Sequence, residues 1–217
     1  MTDFQPNLLA IVVIVAGIGL VPFLVVTMTA FLKIAVVMFL IRNAVGIQQT
    51  PPNLVLYAIA LVLTVYVSAP VIGAVYGQIS DPGLDYNTFD GWQAAAQAAL
   101  EPVRGYLLRY TEPAEREFLL TATAQIWPDE AQAAASSDDL VILVPAFVVS
   151  ELTRAFEIGF LLYLPFIAID LIISNILMSM GMMMVSPLVI SVPFKLFVFV
   201  LVDGWSRLMH GLVLSYG

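Results

Sequence analysis

The chain has 217 residues, 61% of them hydrophobic, and a mean hydropathy of +0.97. Only 11% are charged, about half the usual share for a soluble domain, which excludes a single water-soluble core and indicates a membrane class. Without cysteine there are no disulfides or thiolate metal sites, and one histidine, His210, does not make a metal centre, so no metal and no cofactor are expected.

The net charge of −8 is unevenly placed. Residues 80–139 hold eleven acids and three bases, whereas the five acids and five bases elsewhere cancel. This divides the chain into a first apolar helical hairpin (1–79), an acidic helical insertion (80–139) and a second apolar hairpin (140–217). Nucleic acid is excluded as a partner, because phosphate binding takes clustered Lys and Arg.

In chain order, residues 8–41 form an apolar run interrupted by Gly17, Gly19, Pro22 and Lys33. It exceeds the ~20 residues of one span, so it reads as a kinked helix or as two elements meeting near Gly19–Pro22. The opening MTDFQPN contains Asp3 and no base, which does not read as a cleavable signal. IRNAVGIQQTPPN (Ile41 to Asn53), with Gly46 and the pair Pro51–Pro52, reads as a turn. The second run, Leu54 to Ile79, contains Pro70 and ends in Gly73-x-x-x-Gly77, a spacing that permits close helix packing. The insertion reads as two short helices, with Thr111 as N-cap of the second, followed by a loop, WPDEAQAAASSDD. A third run covers Leu140 to Met180, with Pro145 and Pro165 inside, and a fourth covers Leu188 to Leu214. Between them stands LMSMGMMMVSP (Leu177 to Pro187), which holds five of the nine methionines.

The expected fold class is all-α: membrane-associated helical hairpins with a small helical insertion. Arg42 beside the first turn and Lys195 beyond the second place both turns in the cytoplasm. That puts the insertion and both termini outside, in the periplasm if the cell is Gram-negative.

The apolar runs and their borders carry Lys33, Arg42, Glu151, Arg154, Glu157, Asp170, Lys195, Asp203 and Arg207. A charge at mid-bilayer costs ~2.5–3.5 kcal/mol, so these side chains pair or face protein. Glu151 with Arg154, and Arg154 with Glu157, stand three apart; Asp203 and Arg207 stand four apart, so each pair shares a helix face. If the second hairpin turns near Met184–Val185, Asp170 comes within about one helical turn of the level of Lys195, so a cross-hairpin pair is within reach. One chain offers too little interior for all of them, which points to a homo-oligomer. Two readings remain at this level: structural ion pairs in a pore subunit, or an ion-coupled secondary transporter working through Asp170 and Lys195. Nothing supplies a nucleophile–base pair or a metal-ligand set, so the chain is not read as an enzyme.

Two stretches resemble a known family. FLKIAVVMFLIRNAVGIQQTPPNLVLYAIALVLT (Phe31 to Thr64) and ELTRAFEIGFLLYLPFIAIDLIISNILMSMGMMMVSPLVISVPFKLFVFVLVDGW (Glu151 to Trp205) are similar to the signatures of the export-gate family called FliP in flagella and SctR in injectisomes. The resemblance implies a subunit of the type III secretion export apparatus, assembled as a pentamer with the companions SctS and SctT into a closed, helically arranged pore for unfolded secreted proteins. It further implies that Met182, Met183 and Met184 form a gasket in that pore. Flagellar members usually carry a cleavable signal peptide, so this N-terminus favours the injectisome branch.

Overall fold

The computed structural model describes residues 8–47, 49–81, 83–182 and 184–217, and within them all side chains except those of residues 8–10, 13 and 14. Among the described residues all regular structure is helical: α1 (Leu8–Met28), α2 (Phe31–Val45), α3 (Asn53–Ile79), α4 (Phe89–Tyr110), α5 (Pro113–Ile126), α6 (Asp129–Ala134), α7 (Leu140–Ser179), α8 (Pro187–Leu201) and α9 (Gly204–Leu214).

Three local expectations are corrected. The first apolar run does not break near Gly19–Pro22; Pro22 lies inside α1 and the break falls at Thr29–Ala30. There the Thr27 hydroxyl donates to the Phe23 carbonyl at 2.8 Å and the Thr29 hydroxyl to the Val25 carbonyl, so side chains compete with the backbone ladder for its acceptors. Thr111 is not the N-cap of α5. It closes α4, with its backbone N–H and hydroxyl both donating to the Leu107 carbonyl, while Pro113 at the first helical position makes Glu112 the N-cap. The presumed loop after Trp127 holds α6, where alanines and a first turn with Asp129 and Glu130 favour a short helix.

The chain forms two compact units. One comprises Met1–Ala30 and Ser68–Glu151. Here α1 packs on α4, and Leu107, Ile142, Leu143, Ala146 and Phe147 are buried. Thr88 caps α4, its hydroxyl accepting from Gly91 N–H at 3.1 Å. The N-terminus of α5 is tied down by Glu112 N–H donating to Ser150 Oγ at 3.0 Å. The Tyr106 ring lies tilted against those of Tyr110 (4.9 Å between centroids) and Phe147 (6.0 Å), and its buried hydroxyl has no hydrogen-bond partner among the described residues.

Burial, with the Glu151 carboxylate and Tyr110 adding, pushes the Tyr106 phenol well above its ordinary range. A raised folded-state value means that stability is fully present below the unfolded value of about 10 and is lost as pH rises beyond it. Tyr106→Phe removes an unpaired hydroxyl, so it is expected to be neutral or stabilising by up to about 1 kcal/mol and to flatten the loss of melting temperature above pH 10. Thermal denaturation of the detergent-purified chain at pH 8 and pH 11 checks this.

The other unit comprises Phe31–Val67 and Leu152–Gly217. Its centre is α2, where Ile34, Ala35, Val37, Met38, Ile41, Ala44 and Val45 are buried. Tyr57 of α3 lies edge-on to Phe39 at 5.1 Å. At Gly159 of α7 an added Cβ would stand 2.3 Å from Leu40 Cδ1, so glycine sets the approach of α7 to α2. α8 and α9 meet at a 61° bend where Asp203 adopts the left-handed conformation (φ 53°). Gly204 leaves room there for the Phe199 ring.

α3 and α7 are long and apolar enough to cross a membrane, and residues 15–45 and 187–214 would each qualify as a broken span. Only 11% of the most apolar window of α7 is buried within the chain, so most of its surface needs lipid or protein cover. At 40 residues, α7 runs to roughly 60 Å, about twice the ~30 Å hydrocarbon core.

Candidate functional site: two capped turns and their clamps

Both sequence turns end a helix in the same way. At the end of α2, Gly46 (φ 89°) follows a Schellman pattern: Gly46 N–H donates to Asn43 O at 3.0 Å and Ile47 N–H to Arg42 O at 3.4 Å. At the end of α7, Gly181 (φ 75°) repeats it: Gly181 N–H donates to Met178 O at 3.1 Å and Met182 N–H to Leu177 O at 3.0 Å.

The Schellman bonds leave the Ala44 carbonyl without a partner in its own turn, and Lys195 of α8 supplies one. Its Nζ donates to Ala44 O at 3.2 Å and to Asp170 Oδ2 of α7 at 2.5 Å. The lysine side chain is 4% exposed and the aspartate 34%, so the pair stands at a boundary rather than in a sealed interior. One ammonium thus joins α2, α7 and α8. Arg42 fixes the other side of the first turn. Its Nη1 donates to Asn53 Oδ1 at 2.5 Å and to Pro51 O at 3.2 Å, while the guanidinium lies 4.9 Å from the Phe39 ring.

Lys33 is 1% exposed and sits 3.6 Å over the ring of Tyr216, itself buried. Tyr216 carries no recognisable signal in the sequence, because it faces Lys33 only once α9 and the residues after it fold against α2.

The remaining charges part company. Glu151 is fully buried and Arg154 half-buried, and neither is free. Glu157, Asp203 and Arg207 are exposed and form no ion pair among the described residues. The left-handed turn at Asp203 places it outside α9, so the four-residue spacing to Arg207 gives no pair.

The methionine turn stands at the tip of the α7–α8 hairpin. Met182 is 39% exposed and Met184 is 101% exposed, with Met178 and Met180 also exposed. Met183 lies outside the described residues. Among the described residues nothing stands within 4 Å of a Cβ added at Gly73 or Gly77 of α3.

The FliP family pattern matches residues 14–212. The chain belongs to the FliP family. Two of its relatives are the probable translocation protein y4yL of Sinorhizobium fredii, 58% identical over 216 residues (100% of this chain, 97% of the relative), and the Yop proteins translocation protein R of Yersinia pestis, 48% identical over 212 residues (98% of each). A third is the harpin secretion protein HrcR of Erwinia amylovora, 40% identical over 214 residues (99% and 98%). These place this FliP-family chain in the injectisome branch, as a membrane component of a type III secretion apparatus. In this FliP-family chain both signature stretches coincide with the two capped turns and the residues that clamp them.

Proposed function

We propose that this chain is the pore-forming subunit of the injectisome export gate, passing unfolded secreted proteins across the bacterial inner membrane, with Met182, Met183 and Met184 as the seal. The observation that carries this reading is the exposure of the methionines beside the capped end of α7: Met184 is 101% exposed, so it fills no core of its own chain. Methionine has three rotatable bonds and a polarizable sulfur. A ring of such side chains closes an apolar constriction to water and ions and re-packs around a passing chain. Relatives named for translocation of Yop proteins and for harpin secretion support protein as the cargo.

In this reading identical copies, as a pentamer with SctS and SctT, bury the exposed apolar faces of α1, α3, α7 and α8. The acidic insertion stands in the periplasm and both turns face the cytoplasm. Lys33, Arg42, Glu151, Arg154, Asp170 and Lys195 hold the hairpins in register, and the unpaired Glu157 and Asp203 face neighbouring subunits. The Lys195 ammonium is held by both a carboxylate and a helix-end carbonyl, which suits a clamp.

Replacing Met182, Met183 and Met184 together by glycine is expected to leave the complex assembled but make cells leaky to small ions and dyes. Dye uptake and conductance of the reconstituted complex measure this. An assembled triple variant with a membrane as tight as wild type would refute the seal.

A further inference from the structure

Among the described residues the methionines divide by exposure. Met38 is fully buried in α2, and Met28 and Met209 are half-buried. Met178, Met180, Met182 and Met184 are exposed, and these stand together between positions 178 and 184, at the end of α7 and just beyond it. The chain has no cysteine, so methionine supplies all of its sulfur, and the accessible part of that sulfur is gathered at this one place. The backbone there is held by main-chain bonds that involve no sulfur. Gly181 N–H and Met182 N–H donate to the Met178 and Leu177 carbonyls, and Val185 N–H donates to the Met182 carbonyl at 3.2 Å. Chemistry at the sulfurs therefore leaves the fold of the turn in place and changes only the surface it presents.

We propose that Met182 and Met184 are an oxidation site, at which a hydroperoxide turns each thioether into a sulfoxide and thereby opens the seal. The inference rests on the seal reading above. The sulfur lone pair attacks the terminal oxygen of the hydroperoxide, so that an S–O bond forms as the O–O bond breaks. The proton on the transferred oxygen passes to the departing one, which leaves as water or an alcohol. Sulfur gives up two electrons and the hydroperoxide takes them. A thioether is apolar and a weak acceptor, whereas a sulfoxide carries a strong dipole that accepts hydrogen bonds from water. A ring of thioethers sheds water. A ring of sulfoxides holds it, because a polar group buried without a partner costs more than a hydrated one. Access follows from the same placement. A seal stops passage through the constriction, but the face it turns to the cytoplasm stays wet, and hydrogen peroxide is little larger than water. Sulfoxides are reduced back by reductases, one for each epimer, so the change is a switch and not damage alone. Met38 supplies the contrast within one chain, since no solvent reaches it.

The test treats the assembled, reconstituted complex with hydrogen peroxide and reads two quantities: the sulfoxide content of each methionine by peptide mass spectrometry, and the conductance. Met184 is expected to be oxidised more than about tenfold faster than Met38, because susceptibility follows exposure. Conductance is expected to rise toward that of the glycine triple variant, with the complex still assembled by native mass spectrometry. It falls back after treatment with both reductases and a dithiol. Met182→Leu with Met184→Leu, compared with its own untreated sample, loses most of that rise. The inference is overturned if Met184 is oxidised no faster than Met38, or if its oxidation leaves conductance unchanged. It is equally overturned if the rise comes with disassembly, or if the leucine variant responds as fully as wild type. A glycine triple variant that stays tight refutes the seal itself. A leaky one beside a wild type whose conductance ignores peroxide leaves the seal standing and removes this inference alone.

Discussion

Lys195→Ala is expected to cost about 3 kcal/mol of stability, the low end of the ~3–5 kcal/mol for removing one partner of a buried pair. Two groups lose their partner at once. Asp170 is left with no cation, and the Ala44 carbonyl at the end of α2 is left with no donor. The estimate sits at the low end because the Asp170 side chain is 34% exposed and water recovers part of its solvation. Asp170→Asn keeps an acceptor for the ammonium and leaves the Ala44 contact intact but removes the counter-charge of a buried cation, so it is expected to cost about 2 kcal/mol, less than Lys195→Ala. Lys195→Met with Asp170→Leu removes both charges and is expected to be more stable than Lys195→Ala alone, because no unpaired ion remains. At ~2–4 °C per kcal/mol for a chain of this size, Lys195→Ala lowers the melting temperature by roughly 6–12 °C. Thermal melts of the four proteins in one detergent decide it. If Asp170→Asn cost as much as Lys195→Ala, the ion pair rather than the helix-end contact would carry the clamp.

The clamp was half legible in the sequence. Charges in apolar runs must find partners, and the distances of Asp170 and Lys195 from the turn between them bring the two to adjacent levels. The second acceptor of Lys195 was not legible, because the need of Ala44 for a donor arises only from the Schellman geometry of another helix. The same limit applies to Tyr216 beneath Lys33. Nothing in the sequence marks this tyrosine as a partner until folding sets it against a cation. The helix breaks are not legible in the sequence for a related reason. Pro22 and Gly19 are the weakest points of the first run by residue type, yet α1 runs through both, and two threonine hydroxyls bonding back to the carbonyls four residues earlier mark its end. The pairing of Asp203 with Arg207 assumed one continuous helix, and a residue in the left-handed region removed it. What periodicity and composition do specify is the number and apolar character of the long helices, since those depend on summed hydrophobicity rather than on any single contact.

Gly46→Ala is expected to be more damaging than Gly181→Ala, although both glycines close a helix with the same hydrogen-bond pattern. The shared part is conformational. At φ of 89° and 75° an alanine Cβ crowds the following carbonyl, which costs about 1–2 kcal/mol at either position. The difference is steric. A Cβ on Gly46 would stand 2.7 Å from Val192 Cγ2 of α8, whereas a Cβ on Gly181 meets nothing within 4 Å. Overpacking of this kind costs about 1–3 kcal/mol, so Gly46→Ala should reach roughly 2–5 kcal/mol in total. Val192→Ala in the same chain removes the obstructing methyl and is expected to recover the steric share but not the conformational one. Coupling between Gly46→Ala and Val192→Ala, read from a double-mutant cycle of melting curves, therefore isolates the contact of the first turn with α8. The turn and Lys195 rest on the same stretch of α8, so a loss of this contact should also loosen the Ala44 carbonyl from its ammonium. Gly46→Ala and Lys195→Ala are accordingly expected to be less than additive. Full additivity would mean that the turn and the clamp are separate devices.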